Sequence, residues 1–85
     1  MEKLFQVSII TPEKAVYEGK ASSLIAPGEL GYLGVLANHA ALITNLIPGK
    51  ISFRDSSNKL TTIDSKGKGF LEVLNNNATL LLDSI

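Results

Sequence analysis

Length, charge and cysteine content already exclude several classes of protein for this chain of 85 residues. Eight basic side chains balance eight acidic ones without clustering of either sign, so the sequence lacks the electrostatic attraction that binds nucleic acid or anionic lipid. It has no cysteine for disulfide or thiol chemistry, no apolar run long enough to cross a bilayer and no signal-peptide core at its amino end. We therefore expect one non-secreted domain over residues 1–85 without direct membrane insertion, in a reducing compartment.

The chain reads as a series of short strands with almost no helix. Residues 5–9 alternate apolar and polar side chains, a period of two that indicates a strand, and Thr11-Pro12 ends this run. A second run extends over residues 16–26 and stops at Pro27-Gly28. Five further segments have a strand-like composition and are separated by turn-forming residues: 42–47, 51–54, 60–65, 70–74 and 79–83.

The segment 28–49 stands out because it holds the only histidine, His39, and four of the seven glycines. Gly28, Gly31 and Gly34 recur at every third residue. Glycines this dense mark tight turns, bulges or close backbone approach, because glycine alone enters positive φ without a steric cost. We interpret this part as a glycine-rich loop, which is followed by the strand 42–47 and a turn at Pro48-Gly49.

Turn signals every eight to twelve residues, without a long amphipathic stripe of helical period, predict the fold class. We expect an all-β protein, an antiparallel β-sandwich or flattened barrel of about eight to ten short strands.

Two of the predicted strands are apolar on both faces. Leu42 and Leu46 share one face with Thr44, yet Ile43 lies on the other, and the run 80–82 is leucine throughout. A strand of a small two-layered fold needs only one buried face. Either a partner covers the outer apolar residues, or these strands are central and buried on both sides; the sequence leaves both interpretations open.

The sequence offers no constellation for catalysis or metal binding. His39 is the only imidazole, no serine lies in a Gly-x-Ser-x-Gly elbow, and the glycine triplet is not a dinucleotide-binding fingerprint. The acidic residues are scattered singly, without the spacing of metal ligands. We therefore expect a protein that is not an enzyme and binds no cofactor or metal.

Motifs spread over residues 4–84 resemble the epsilon subunit of F-type ATP synthases, in its amino-terminal β-sandwich domain. They are Thr11-Pro12, Gly31-x-x-Gly34, His39-Ala40 with Leu42, Thr44, Leu46 and Pro48-Gly49, then Gly69-x-x-Glu72-Val73, and finally Asn77-x-Thr79-x-Leu81-x-Asp83. The chain departs from the family pattern at Ala37, Asn38, Ala41 and Lys68.

The resemblance implies a central-stalk subunit of a proton- or sodium-translocating ATP synthase, which links the gamma subunit to the c-ring. It implies a peripheral membrane protein on the cytoplasmic face of the bacterial inner membrane. By the same resemblance, the gamma subunit contacts Thr11, His39 and Thr44. The c-ring contacts the tip of the glycine-rich loop, formed by Glu29, Leu30, Gly31 and Tyr32.

Two of these assignments have an alternative in the residues themselves. His39 can instead stabilise its own turn, and the loop tip can be an ordinary exposed hairpin. The alternative for the whole chain is a free-standing β-sandwich that binds a peptide edge or a small ligand, and co-purification with the gamma subunit separates the two functions.

Relatives of this type continue into a carboxy-terminal helical hairpin, whereas this sequence ends at Ile85. We therefore expect a short natural form that supports rotary coupling but neither inhibits hydrolysis by extension nor binds ATP.

Overall fold

The computed structural model describes residues 3–85, which form eight β-strands and no helix. The strands are β1 (Phe5–Ile10), β2 (Ala15–Gly28), β3 (Gly31–Leu36), β4 (Leu42–Leu46), β5 (Gly49–Asp55), β6 (Leu60–Ser65), β7 (Gly69–Leu74) and β8 (Asn77–Leu82). The predicted all-β class, with eight to ten short strands, is confirmed.

The strands form one continuous sheet that folds over into two layers. Layer A contains β3, β2, β5 and β6, and layer B contains β4, β7, β8 and β1. The long strand β2 joins the layers, because its first half pairs with β1 and its second half pairs with β3 and β5. An irregularity between Ala21 and Ser23 marks the place where β2 passes from one layer to the other. The result is a flattened barrel.

One strand pair departs from the predicted antiparallel arrangement. β1 and β8 are parallel, from Gln6 beside Asn77 to Ile10 beside Leu81. The direction of β1 is set by its antiparallel pairing with β2, and the direction of β8 by its hairpin with β7. Parallel neighbours need a long connection, and here almost the whole chain connects the two strands.

The core lies between the layers and takes alternate residues from the strands. β1 and β7 bury every second residue, and all eight strands contribute to one apolar cluster. Its largest members include Phe5, Leu24, Phe53, Leu71 and Leu80. Burial of each such side chain contributes about 1.5–3 kcal/mol to folding.

The segment interpreted from the sequence as a glycine-rich loop is instead a β-hairpin. Gly28 pairs with Gly31 across a two-residue turn, and β3 then pairs with β2 over six residues. Gly31 has a φ of 129°, a conformation that favours glycine. The strand β3 was missed because Gly31 and Gly34 lower the β propensity of its sequence.

Candidate partner-binding surfaces

The outer side of layer B carries a patch of exposed apolar side chains. Because Gly69, Leu71 and Val73 of β7 are buried, the alternate residues of this strand must point outward. In β8, Leu80 and Leu82 are likewise buried and Leu81 faces out. We call this patch the apolar face and define it by the exposed Ile43, Phe70, Leu74 and Leu81 together with the partly buried Ile10.

The strand register makes this patch contiguous. Ile10, Leu81 and Phe70 are paired neighbours on three successive strands, and Ile43 pairs with Glu72 of β7. Phe70 is 54% exposed, Leu81 49% and Ile43 73%. The question left open by the sequence is thereby decided for these residues, which lie on a strand face that nothing in residues 3–85 covers. Contiguous exposed apolar side chains mark interaction surfaces.

Thr11 lies at one end of the apolar face, directly after β1. Its side chain is buried, its hydroxyl donates a hydrogen bond to the Lys14 carbonyl at 3.2 Å, and the two residues also exchange backbone hydrogen bonds. With Pro12 it borders a shallow groove whose floor includes Phe70 and Leu81. Thr11 therefore shapes the turn after β1 and the rim of the face.

His39 lies at the opposite end of layer B, in the loop between β3 and β4. Its Nδ1 donates a hydrogen bond to the Ala40 carbonyl at 2.7 Å, the kind of contact that the turn-stabilising interpretation requires. In the neutral ring this bond fixes the Nδ1–H tautomer and leaves Nε2 as an acceptor. Ala41, two residues on, lines a shallow groove with Ile43 and Leu74. His39 therefore lies beside the apolar face at its second end.

Thr44 does not share that surface. It pairs with Leu71, which is completely buried, so its side chain projects toward the inner side of layer B and is half-buried there. Paired residues of neighbouring strands lie on the same face. The structure therefore does not bring Thr44 together with Thr11 and His39 beside the apolar face, since the register of β4 turns Thr44 toward the inner side of layer B.

The loop that carries His39 is held by a residue that sequence reasoning did not single out. Asn76 accepts a hydrogen bond from the Asn38 backbone N–H at 2.8 Å and donates one to the Leu4 carbonyl at 3.0 Å. It lies in the two-residue turn between β7 and β8, where Asn75 and Asn76 both have positive φ. The only signal in the sequence was the run of three asparagines, which indicates a turn.

We expect Asn76→Gly to lower the free energy of unfolding by about 1–2 kcal/mol, because two side-chain hydrogen bonds are lost while glycine keeps the backbone conformation. Asn75→Gly is the matched control, since Asn75 has a similar φ and its side chain makes neither bond. Urea denaturation of both variants measures the difference. Equal midpoints would show that the Asn76 contacts add nothing to stability.

The second surface is the tip of the β2–β3 hairpin, formed by Glu29, Leu30, Gly31 and Tyr32. Leu30 is fully exposed. Glu29 anchors the tip to β4, because its backbone N–H donates to the Asn45 carbonyl at 3.1 Å and its carboxylate accepts from the Asn45 amide at 3.3 Å. The four residues predicted for the c-ring are thus neighbours on one projecting element.

Tyr32 also has a role inside the chain. Its hydroxyl accepts a hydrogen bond from the Lys50 backbone N–H at 3.3 Å. A β-carbon added at Gly49 would lie 3.1 Å from that hydroxyl and 3.0 Å from the Pro27 side chain. Glycine at this position therefore lets Tyr32 pack across β2 onto the start of β5. Leu30, which is fully exposed, is the side chain of the tip with no such role inside the chain.

The two surfaces adjoin each other. One groove is bordered by Glu29 and Asn45 on the side of the tip, and by Phe70 and Asp83 on the side of the apolar face. Thr11 borders the neighbouring groove, which also includes Phe70 and Asp83. The tip therefore lies near the Thr11 end of the apolar face, and His39 lies at the far end.

Among residues 3–85, the side chains of Tyr17 and Asp64 have a perturbed pKa, and neither belongs to the apolar face. A hydrogen bond from Lys50 at 3.0 Å and the charge of that ammonium lower the pKa of Asp64. Partial burial raises the pKa of Tyr17, and the charge of Asp55 adds to this effect. The centroid of the Tyr17 ring lies 4.4 Å from that of the Phe53 ring. Local packing and pairing explain both shifts, so neither marks a catalytic group.

In residues 3–85 no three acidic, histidine or cysteine side chains come close enough together to hold a metal ion. The same part of the chain contains no helix of the length and hydropathy needed to cross a membrane.

Solved structures share this fold. A chain in the cryo-electron microscopy structure of the Tetrahymena thermophila mitochondrial ATP synthase central stalk and c-ring superposes with a TM-score of 0.79. The match covers 98% of this chain and 66% of that one at 19% sequence identity. At this identity the likeness concerns the fold alone.

Sequence relatives confirm the resemblance to epsilon subunits. The ATP synthase epsilon chain of Leptospira borgpetersenii serovar Hardjo-bovis is 43% identical over 77 residues, covering 91% of this chain and 59% of the relative. That of Chlorobaculum tepidum is 38% identical over 84 residues, covering 99% of this chain and 94% of the relative. Residues 4–85 match the family model of the ATP synthase delta/epsilon chain β-sandwich domain. This chain therefore belongs to the ATP synthase delta/epsilon family and contains its β-sandwich domain.

Proposed function

We propose that this chain is a non-catalytic central-stalk subunit of a proton- or sodium-translocating F-type ATP synthase. In that role it links the gamma subunit to the c-ring and supports rotary coupling, on the cytoplasmic face of a bacterial inner membrane. Membership of the family supports the assembly. The observation that carries a docking role is the apolar face, where four apolar side chains are about half or more exposed although each of their strands also contributes to the core.

We assign the apolar face to the gamma subunit. A subunit that turns with its partner needs a contact that resists shear, and burial of contiguous apolar side chains supplies one. Thr11 and His39 flank this face at its two ends, so both can touch the same partner. Thr44 lies behind it, on the inner side of layer B.

We assign the hairpin tip to the c-ring. The tip is narrow, and its turn combines a carboxylate with a fully exposed leucine. Such a protrusion suits a small contact with the polar loops of another subunit. Because the tip adjoins one end of the apolar face, a partner on that face and a ring at the tip can be bound at the same time.

Co-purification tests this function directly. The full chain, produced together with the gamma subunit of its own complex, should elute with it as a stable pair in size-exclusion chromatography. A chain that elutes alone and remains a stable monomer in the presence of the gamma subunit would support the free-standing binding module instead.

We expect Leu30→Cys to cross-link to a cysteine placed in the c-ring loop of the assembled enzyme. The chain has no cysteine of its own, so a disulfide can form only at the introduced site. Leu30 is a better position for the introduced cysteine than Tyr32, because the Tyr32 ring packs on the start of β5. Ser56→Cys is the control, because the β5–β6 turn lies at the end of β5 remote from the tip. Equal yields from both variants, in an enzyme that still pumps, would contradict the assignment.

A further inference from the structure

A single carboxylate lies in the middle of the apolar face. Glu72 is the central outward residue of β7, between Phe70 and Leu74 along the strand. Across the sheet it pairs with Ile43 of β4 on one side and with Thr79 of β8 on the other. Its neighbours on this face are therefore apolar or uncharged.

No cation among residues 3–85 forms an ion pair with Glu72. Among residues 3–85 the sole ion pair is Lys50 with Asp64, which belongs to layer A. Across the outer side of layer B, Lys20 lies three strands away, or about 14 Å at the usual strand spacing. Lys68 precedes Glu72 by four residues of extended chain, about 13 Å. In the part of the chain that the structure describes, no residue pairs with this exposed carboxylate, which faces solvent.

A partner that covers the apolar face removes that water. A carboxylate that is buried without a counter-charge is strongly unfavourable, whereas one that meets a cation and its hydrogen-bond donors is tolerated. The apolar side chains around Glu72 give it no donors. The charge must therefore be matched from the partner's side of the contact.

We propose that the gamma-subunit segment on the apolar face is apolar and carries an arginine or lysine that pairs with Glu72. The pair fixes the register of docking and makes Glu72 a specificity-determining residue of the stalk interface. This inference rests on the proposed function, since it takes the gamma subunit as the partner. Arginine fits best, because its planar fork can bind both carboxylate oxygens.

The same geometry disfavours a second copy of this chain as the occupant. In a two-fold symmetric contact the same patch meets itself. A dimer centred on the apolar face would bring two Glu72 carboxylates together in an apolar setting, which is repulsive. The single charge thus permits a basic, apolar partner and acts against self-association.

Binding of the full chain to the gamma subunit, measured by calorimetry at several salt concentrations, tests the pairing. We expect Glu72→Gln to raise the dissociation constant about 10- to 100-fold and to make binding less dependent on salt concentration. Glu72→Lys should raise the dissociation constant further. An acidic residue substituted for the facing basic residue of the gamma subunit should restore binding of the Glu72→Lys chain.

Glu18→Gln is the matched control, because Glu18 is exposed beside the polar Ser8 at the rim of layer B. It should change the dissociation constant less than twofold. If the wild-type chain binds and Glu72→Gln binds equally well, the pairing is wrong and the proposed function stands. If the wild-type chain does not bind the gamma subunit, both are wrong. Thermal melting of the Glu72 variants should match the wild type, since this residue is exposed.

Discussion

Replacement of Leu81 by serine should weaken binding to the gamma subunit about 5- to 30-fold, and Phe70→Ser in addition should bring the loss to about 100- to 1000-fold. About half of the Leu81 side chain is still exposed in the free chain, and the proposed contact would bury it. Phe70 is its paired neighbour on β7, and aromatic residues at the centre of an interface carry a large share of binding energy.

The chain offers a closely matched control for Leu81→Ser. Leu60 is 52% exposed, compared with 49% for Leu81, but it lies on the outer side of layer A. Leu60→Ser makes the same chemical change at the same exposure and should leave the affinity for the gamma subunit unchanged. If both serine variants bind like the wild type, the apolar face is not the docking surface, and an equal loss in both would indicate a general effect of lowered hydrophobicity.

The largest expected effect on stability comes from Gly69→Ala. Gly69 is buried at the start of β7, paired with Leu46 on one side and Leu82 on the other. A β-carbon there would collide with the backbone carbonyl of Leu81 and would lie 3.0 Å from the Leu82 side chain. We expect the free energy of unfolding to fall by about 2–4 kcal/mol, a large part of the total stability of a small domain.

Gly34→Ala is the matched control, because Gly34 is also a strand glycine and its β-carbon would have only the Leu24 carbonyl within 4 Å, at 3.9 Å. That variant should be neutral or slightly more stable. In thermal melts Gly69→Ala should unfold roughly 10–25 °C below the wild type. Similar melting temperatures for the two alanine variants would mean that the β7–β8 pair relaxes around the added carbon.

The assignment of His39 shows how local and long-range information differ. The sequence indicated its two possible roles, but only the structure shows that Nδ1 is used by the Ala40 carbonyl and that the loop is fastened through Asn76. The residues joined by Asn76 are Leu4 and Asn38, which are 72 and 38 positions away along the chain. A local sequence pattern cannot predict contacts between residues so far apart along the chain.

The fold class could be predicted from the sequence because it depends on a period of two and on turn residues, which are local properties. The strand β1 follows from alternation, and β7 and β8 follow from their strand-like composition between turn residues. The hairpin tip could also be located, because Gly28 and Gly31 mark its turn. The family followed from motifs distributed over the chain.

The tertiary structure alone decided which residues meet. The parallel pairing of β1 with β8, the register that turns Thr44 inward and the contiguous apolar face all depend on how distant strands pair. A pattern of period two predicts which side chains of a strand face the core, but it does not indicate which strand lies next to it. For that reason the sequence alone determined most elements of this protein but not β3, and only the strand pairing showed that Glu72 lies alone among apolar neighbours.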